Sequence, residues 1–160
     1  VKALNESINI RFIDDDRVGI SLDETTSKQD VLKLLSVFNI EIKSQQLLSE
    51  GIEQLVVDAI LKYDLLNKAI ASSFNPLRLR KIKALNSNIT TAQLWDENGD
   101  FSSYRWIYLS HPDLFHGNID QFNQNMISDL KTLGLKIYAY TVNTEEQLAK
   151  VKYLNLHGIF

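Results

Sequence analysis

The chain has 160 residues, of which 44% are hydrophobic and 23% charged, with a net charge of −3 and no cysteine. That length supports one ordinary domain with a real core, and that balance is typical of a soluble globular chain rather than a disordered one. Disulfides and thiolate sites are excluded, the scattered Lys and Arg offer no basic stripe for nucleic acid, and no apolar run approaches the roughly 20 residues of a membrane span.

The first 38 residues read as a small ββα piece. "INIRFI" and "RVGISL" flank Asp14, Asp15 and Asp16, which predicts a hairpin with an acidic turn. Adjacent side chains on a turn diverge, so the three aspartates read as solvated rather than as a metal site. Ser27 and Asp30 form a capping pair for the helical pattern "KQDVLKLLSVF".

From residue 39 onward, strands and helices alternate. "NIEIK" is a strand, followed by a helical pattern from about Leu47 to Leu66 with Leu48, Ile52, Leu55, Val56, Ala59 and Ile60 on one face. "KAIASSF" is a second strand; Asn75 caps and Pro76 opens the helix that "LRLRKIKAL" continues. "TTAQLW" is a third strand, and the polar stretch "DENGDFSSYRW" after it has no clean period. "IDQFNQNMISDLKTL" is a helix stopped by Gly134, "KIYAYTVN" a fourth strand, "TEEQLAKVKYL" its helix and "HGIF" the start of a fifth. Strands separated by single helices imply parallel pairing and right-handed crossovers, hence an α/β class.

Glu41 and Lys43 alternate with Ile40 and Ile42. Side chains on a strand alternate in direction, so the two charges share a face. Two readings compete: a half-buried strand whose solvated face carries a weak ion pair, or a barrel strand aiming carboxylate and ammonium into a shared interior.

"NIEIK" at 39–43, "SSFNP" at 72–76, "YTVN" at 140–143 and "HGIF" at 157–160 occur in order with suitable helices between them. On these motifs, residues 39–160 resemble the C-terminal part of the glycerophosphodiester phosphodiesterase family. The resemblance implies a (βα)8 TIM barrel, present here as a partial barrel of about five parallel strands. It also implies hydrolysis of glycerophosphodiesters to an alcohol and glycerol 3-phosphate with a divalent cation, Mg²⁺ or Ca²⁺. Glu41 matches a carboxylate that helps to hold the metal, and Lys43 the catalytic lysine that contacts phosphate. Phe74 matches an aromatic of the substrate pocket, and Tyr140 stands where the family usually has tryptophan.

Residues 2–38 instead resemble a segment of the P-protein of the glycine cleavage system, a pyridoxal-phosphate glycine decarboxylase, with "GISLDET" the most distinctive part. The segment lacks the lysine of the cofactor aldimine, so the resemblance carries fold and not activity. A competing alignment places "SLDETTS" on a "HDETLDRTT"-like stretch of the phosphodiesterase family, with Leu22 in place of its histidine. The division expected is therefore 1–38 and 39–160, from a natural fusion, an engineered chimera or a sequence with segments closed up.

The resembled family draws its acid and base from two histidines, and two further metal carboxylates, on early strands. No histidine precedes His111 here, and neither "HRG" nor a Glu-x-Asp pair occurs. His111 and His116 fall between the third and fourth of the strands above and are second-rank candidates, their spacing being a poor metal signature. The expectation is a phosphodiesterase-family domain that is truncated and inactive as this chain, with no cofactor in that case. The alternatives are a non-catalytic chimeric or fragment barrel and a glycine decarboxylase fragment. If active, its partner would be a glycerophosphodiester or phosphate ester; the open sheet implies a homodimer, and the absence of a signal-peptide pattern implies a cytoplasmic location.

Overall fold

A computed structural model describes residues 11–14, 17–19, 40–42 and 51–159 of the chain. The expected hairpin is present: β1 (Arg11–Asp14) pairs antiparallel with β2 (Arg17–Gly19) as a separate two-stranded sheet. The helix expected over 28–38 lies outside the described residues.

The main sheet has six parallel strands in sequential order: β3 (Ile40–Glu41), β4 (Ile70–Ser73), β5 (Thr90–Trp95), β6 (Leu114–Asn118), β7 (Lys136–Tyr140) and β8 (Gly158–Ile159). Helices α1 (Ile52–Lys62), α2 (Pro76–Leu85), α3 (Ile107–Ser110), α4 (Gln124–Thr132) and α5 (Glu145–Tyr153) occupy the connections. Neighbouring strands that follow each other in sequence, each crossed by a helix, give the local topology of a βα barrel. The α/β partial barrel holds, with six strands rather than about five.

The added strand is β6. "LFHGN" carries a histidine, a glycine and an asparagine in five residues, which masks it as loop. Gly117 is required there: a Cβ would overlap the Phe122 ring, standing 2.7 Å from its Cζ and 3.2 Å from Trp95 Cε3. The helix expected over 119–133 is broken for a related reason. A 3-10 turn covers Ile119–Gln121, Phe122 stays extended and buried, and α4 begins only after Asn123, whose side chain accepts from the Met126 N–H at 3.0 Å. Elsewhere the caps fall where the sequence placed them. Asn75 accepts from the Leu77 N–H at 2.9 Å ahead of Pro76, and Gly134 takes φ 75° just beyond α4.

One helix is turned relative to its apolar pattern. In α1 the buried residues are Glu53, Val57 and Ile60, while Leu55 is 68% exposed. The cause is Arg78 of α2, which donates to Glu53 Oε1 at 2.5 Å with both side chains buried. An ion pair occupies a position on the inner stripe that hydrophobic periodicity assigns to a hydrocarbon.

Two core clusters lie between sheet and helices. Ile42, Ala71, Val57, Ile60 and Ile82 belong to one, and Phe115, Ile137, Ile127, Leu130 and Val151 to the other. Glu41 lies in register with Ser72, and Ser72 with Ala92, on the strand face opposite the one that Ile42 and Ala71 turn toward the helices.

Candidate functional site

A cavity of about 630 Å³ lies at the carboxyl ends of β3, β4 and β5. Glu41, Phe74, Asn75, Asp96, Asp100 and Phe101 are on its wall. Side chains at the carboxyl ends of parallel barrel strands converge on one mouth, which is where such folds bind ligands.

The rim is fixed by side chains on the helix-facing side of the strands. Ser73 Oγ donates to the Ile42 carbonyl at 2.9 Å and accepts from the Asn75 N–H at 3.2 Å. Gln93 Nε2 donates to the Phe74 carbonyl at 2.8 Å. The backbone on either side of Phe74, and the residue after Glu41, are thereby tied together.

Asp96 follows β5 directly. Its Oδ1 accepts from the Asn98 N–H at 2.8 Å and from Gln121 Nε2 at 3.0 Å. The Asn98 backbone hydrogen bond, followed by that of Gln121, holds its carboxyl below the usual aspartate range. At the end of β7, Tyr140 donates its hydroxyl to the Trp95 carbonyl at 2.7 Å. Burial pushes its phenol well above the usual range, and the negative charges of Asp96 and Glu41 add to the effect. Tyr140 is therefore a fixed neutral donor close to both carboxylates.

The structure brings Glu41 and Phe74 onto one cavity wall, with Phe74 39% exposed. Lys43 lies outside the described residues. His111 is exposed at the C-terminal end of α3, with φ 46°, and borders a separate hollow with Tyr108 and Leu133. His116, expected in a loop, sits within β6 at 2% exposure. Its ring meets Tyr138 edge-on at 5.3 Å, and burial lowers its pKa to about 4. Neither histidine lines the large cavity.

Sequence reading passed over Asp96, Asp100 and Phe101. A signal was present in "LWD", since an acid that immediately follows a barrel strand falls at the binding mouth. For the expected divalent cation the described residues are a poor fit. Hard cations take about six oxygen ligands, and among the described residues no group of three or more His, Asp or Glu could hold a metal ion. Among them, too, no helix is long and apolar enough to cross a membrane.

Comparison with known proteins places this geometry. A glycerophosphodiester phosphodiesterase of Caldanaerobacter subterraneus subsp. tengcongensis is 28% identical over 155 residues, covering 88% of this chain and 62% of that protein. A short stretch is 51% identical over 39 residues to a mitochondrial glycine dehydrogenase (decarboxylating) of Schizosaccharomyces pombe, covering 24% of this chain and 4% of that one. The solved glycerophosphodiester phosphodiesterase of Thermotoga maritima superposes with a TM-score of 0.60 at 19% identity, over 91% of this chain and 61% of that one. The chain thus spans about three-fifths of the curated phosphodiesterase it matches. The Glycerophosphoryl diester phosphodiesterase family model matches residues 13–160, from the first hairpin strand through both core clusters, and the chain accordingly belongs to that family.

Proposed function

We propose that the chain binds glycerophosphodiesters, the substrates of its family, and that its described part forms the substrate-holding portion of the site without completing the catalyst. The observation that carries this reading is the cavity itself. Glu41 and Phe74, two residues that match the family's site motifs, share its wall at the mouth of the parallel strands.

Cleavage of the diester needs a base for the nucleophile and an acid for the leaving oxygen, each within hydrogen-bond reach of the reacting atoms. The described residues on the cavity wall bring carboxylates, two amides, a hydroxyl and aromatic rings. His116 is buried in the sheet and neutral near pH 7, and Tyr140 is committed to the Trp95 carbonyl. The described carboxylates do not gather into a cation site, so the family's divalent cation has no described seat here. What these residues do is hold and orient: Phe74 and Phe101 supply apolar walls, and Glu41 and Asp96 negative charge, that of Asp96 fixed by Asn98 and Gln121.

Lys43 remains the candidate phosphate contact that the family motif implies. The test is calorimetric titration of glycerophosphoglycerol into the chain and into Glu41→Ala, Lys43→Ala and Phe74→Ala. Saturable binding that Phe74→Ala weakens by about tenfold and Lys43→Ala weakens further is expected. Absence of binding, or binding indifferent to all three substitutions, would refute the reading.

A further inference from the structure

Asn98–Gly99 is the one Asn-Gly pair in the sequence, and it stands on the turn that follows β5, where residues 97–100 are all exposed. An asparagine followed by glycine is open to attack on its side-chain amide carbon by the next backbone nitrogen, because glycine has no Cβ to block the approach. The fold does not demand this glycine. Gly99 is outside the left-handed region, and a Cβ built on it would meet only the Asp96 carbonyl oxygen, at 3.4 Å, an ordinary contact. Asn86, the next asparagine with a small follower, precedes Ser87, whose Cβ obstructs the same approach.

Two hydrogen bonds restrain the pair. The Gly99 N–H donates to the Asp96 carbonyl at 3.1 Å, and the Asn98 N–H to Asp96 Oδ1 at 2.8 Å. Attack waits for this turn to open, and an exposed turn held by local bonds lies at the low end of a protein's stability range. Beyond the turn the chain is anchored on both sides. Gln121 Nε2 donates to Asp96 Oδ1 at 3.0 Å, and Trp95 Nε1 to the Ser102 carbonyl at 2.7 Å. A change of backbone length between these anchors is taken up within the span that carries Asp100 and Phe101 on the cavity wall.

We propose that Asn98 is a site of spontaneous, age-dependent deamidation that reshapes this stretch of the wall. The Gly99 nitrogen gives up its proton and bonds to Asn98 Cγ. The bond from Cγ to Nδ2 breaks, and the side-chain nitrogen leaves as ammonia, carrying a proton equivalent to the one released. The cyclic imide then takes up one water. Cleavage between Cγ and the Gly99 nitrogen leaves aspartate at 98; cleavage between the backbone carbonyl carbon and that nitrogen leaves isoaspartate, with an extra methylene in the main chain. Either product adds a carboxylate between Asp96 and Asp100, and isoaspartate also lengthens the anchored span.

The test ages the whole chain at pH 7.5 and 8.5. Peptide mass spectrometry locates each lost amide, and isoaspartate-specific carboxyl methylation measures the rearranged product. Asn98 is expected to convert at least about tenfold faster than Asn86, and faster at the higher pH because the attacking nitrogen must shed its proton. Gly99→Ala, which the turn accommodates, should slow Asn98 at least about tenfold. Asp96→Ala removes the carboxylate that restrains the turn and should speed it about fivefold, the shift in an opening equilibrium when one ordinary hydrogen bond is lost. Amide chemical shifts of the isolated isoaspartate form should move over 97–101 and hold still in α4 and α5. Asn98 as durable as Asn86, or a rate at Asn98 indifferent to Gly99→Ala, would overturn the proposal. A slower rate in Asp96→Ala would refute the restraint by the turn, and shifts that spread into α4 and α5 would refute the confinement to the wall. None of these outcomes depends on what the cavity binds.

Discussion

His116 gives the structure a measurable dependence of stability on pH. Its imidazole is 2% exposed within β6, against the Tyr138 ring on β7 and in register with Leu94 on β5. Burial disfavours the charged form and lowers the pKa from 6.5 to about 4. The sign follows from proton counting: below pH 6.5 the unfolded chain takes up a proton that the folded chain refuses. The stabilisation from a neutral buried His116 is therefore complete above about pH 7 and is lost as pH falls from 6.5 toward 4. The slope approaches about 1.4 kcal/mol per pH unit, so the loss is about 1 kcal/mol at pH 5.5 and about 3 kcal/mol once pH reaches the folded value. Urea unfolding of the native chain and of His116→Gln, each at pH 7.5, 6.5 and 5.5, isolates this contribution before most carboxylates titrate. The native chain should lose about 1 kcal/mol more than the variant over that range. Parallel losses in the two proteins would refute the claim that a desolvated His116 is the titrating group.

Three further outcomes follow from the packing. Arg78→Ala leaves Glu53 charged and buried, and should cost about 3–5 kcal/mol in urea unfolding, with the double replacement Glu53→Leu and Arg78→Met recovering most of it. Gly117→Ala drives a methyl group into the Phe122 ring and should cost about 1–3 kcal/mol, relieved in part by Phe122→Leu; an unchanged melting temperature would contradict the close approach. Tyr140→Phe removes the hydroxyl donated to the Trp95 carbonyl and should lower stability by about 1 kcal/mol, read from the denaturation midpoint.

The order of elements was legible because strand and helix periods alternate cleanly where the chain is regular. Asn75–Pro76 announces α2, Gly134 ends the turn after α4, and "TTAQLW" is a strand over its full length. Legibility failed where tertiary contacts overrule local pattern. The rotation of α1 depends on Arg78, 25 residues from Glu53, so no window within the helix reveals that its inner stripe carries a charge. β6 is hidden because its glycine reads as a breaker, whereas the structure uses it to let Phe122 close over the strand. At the site, the direction of Glu41 could not be chosen from alternation alone. Ile42 packing with Ala71 against α1 and α2 sends Glu41 to the opposite face, a fact that needs the partner strand. Asp96 was overlooked because a polar stretch without period looks uniformly solvated, although the residue that leaves a barrel strand is fixed in space by that strand.

The central claim is that the chain holds a glycerophosphodiester without completing its hydrolysis. Release of glycerol 3-phosphate from glycerophosphocholine by the purified chain, followed by a coupled dehydrogenase with Mg²⁺, with Ca²⁺ and with EDTA, tests it most directly. The result expected is no turnover in any condition at substrate concentrations that saturate binding. Metal-dependent turnover that Glu41→Ala abolishes would contradict the claim and place a complete set of proton carriers and ligands within these 160 residues.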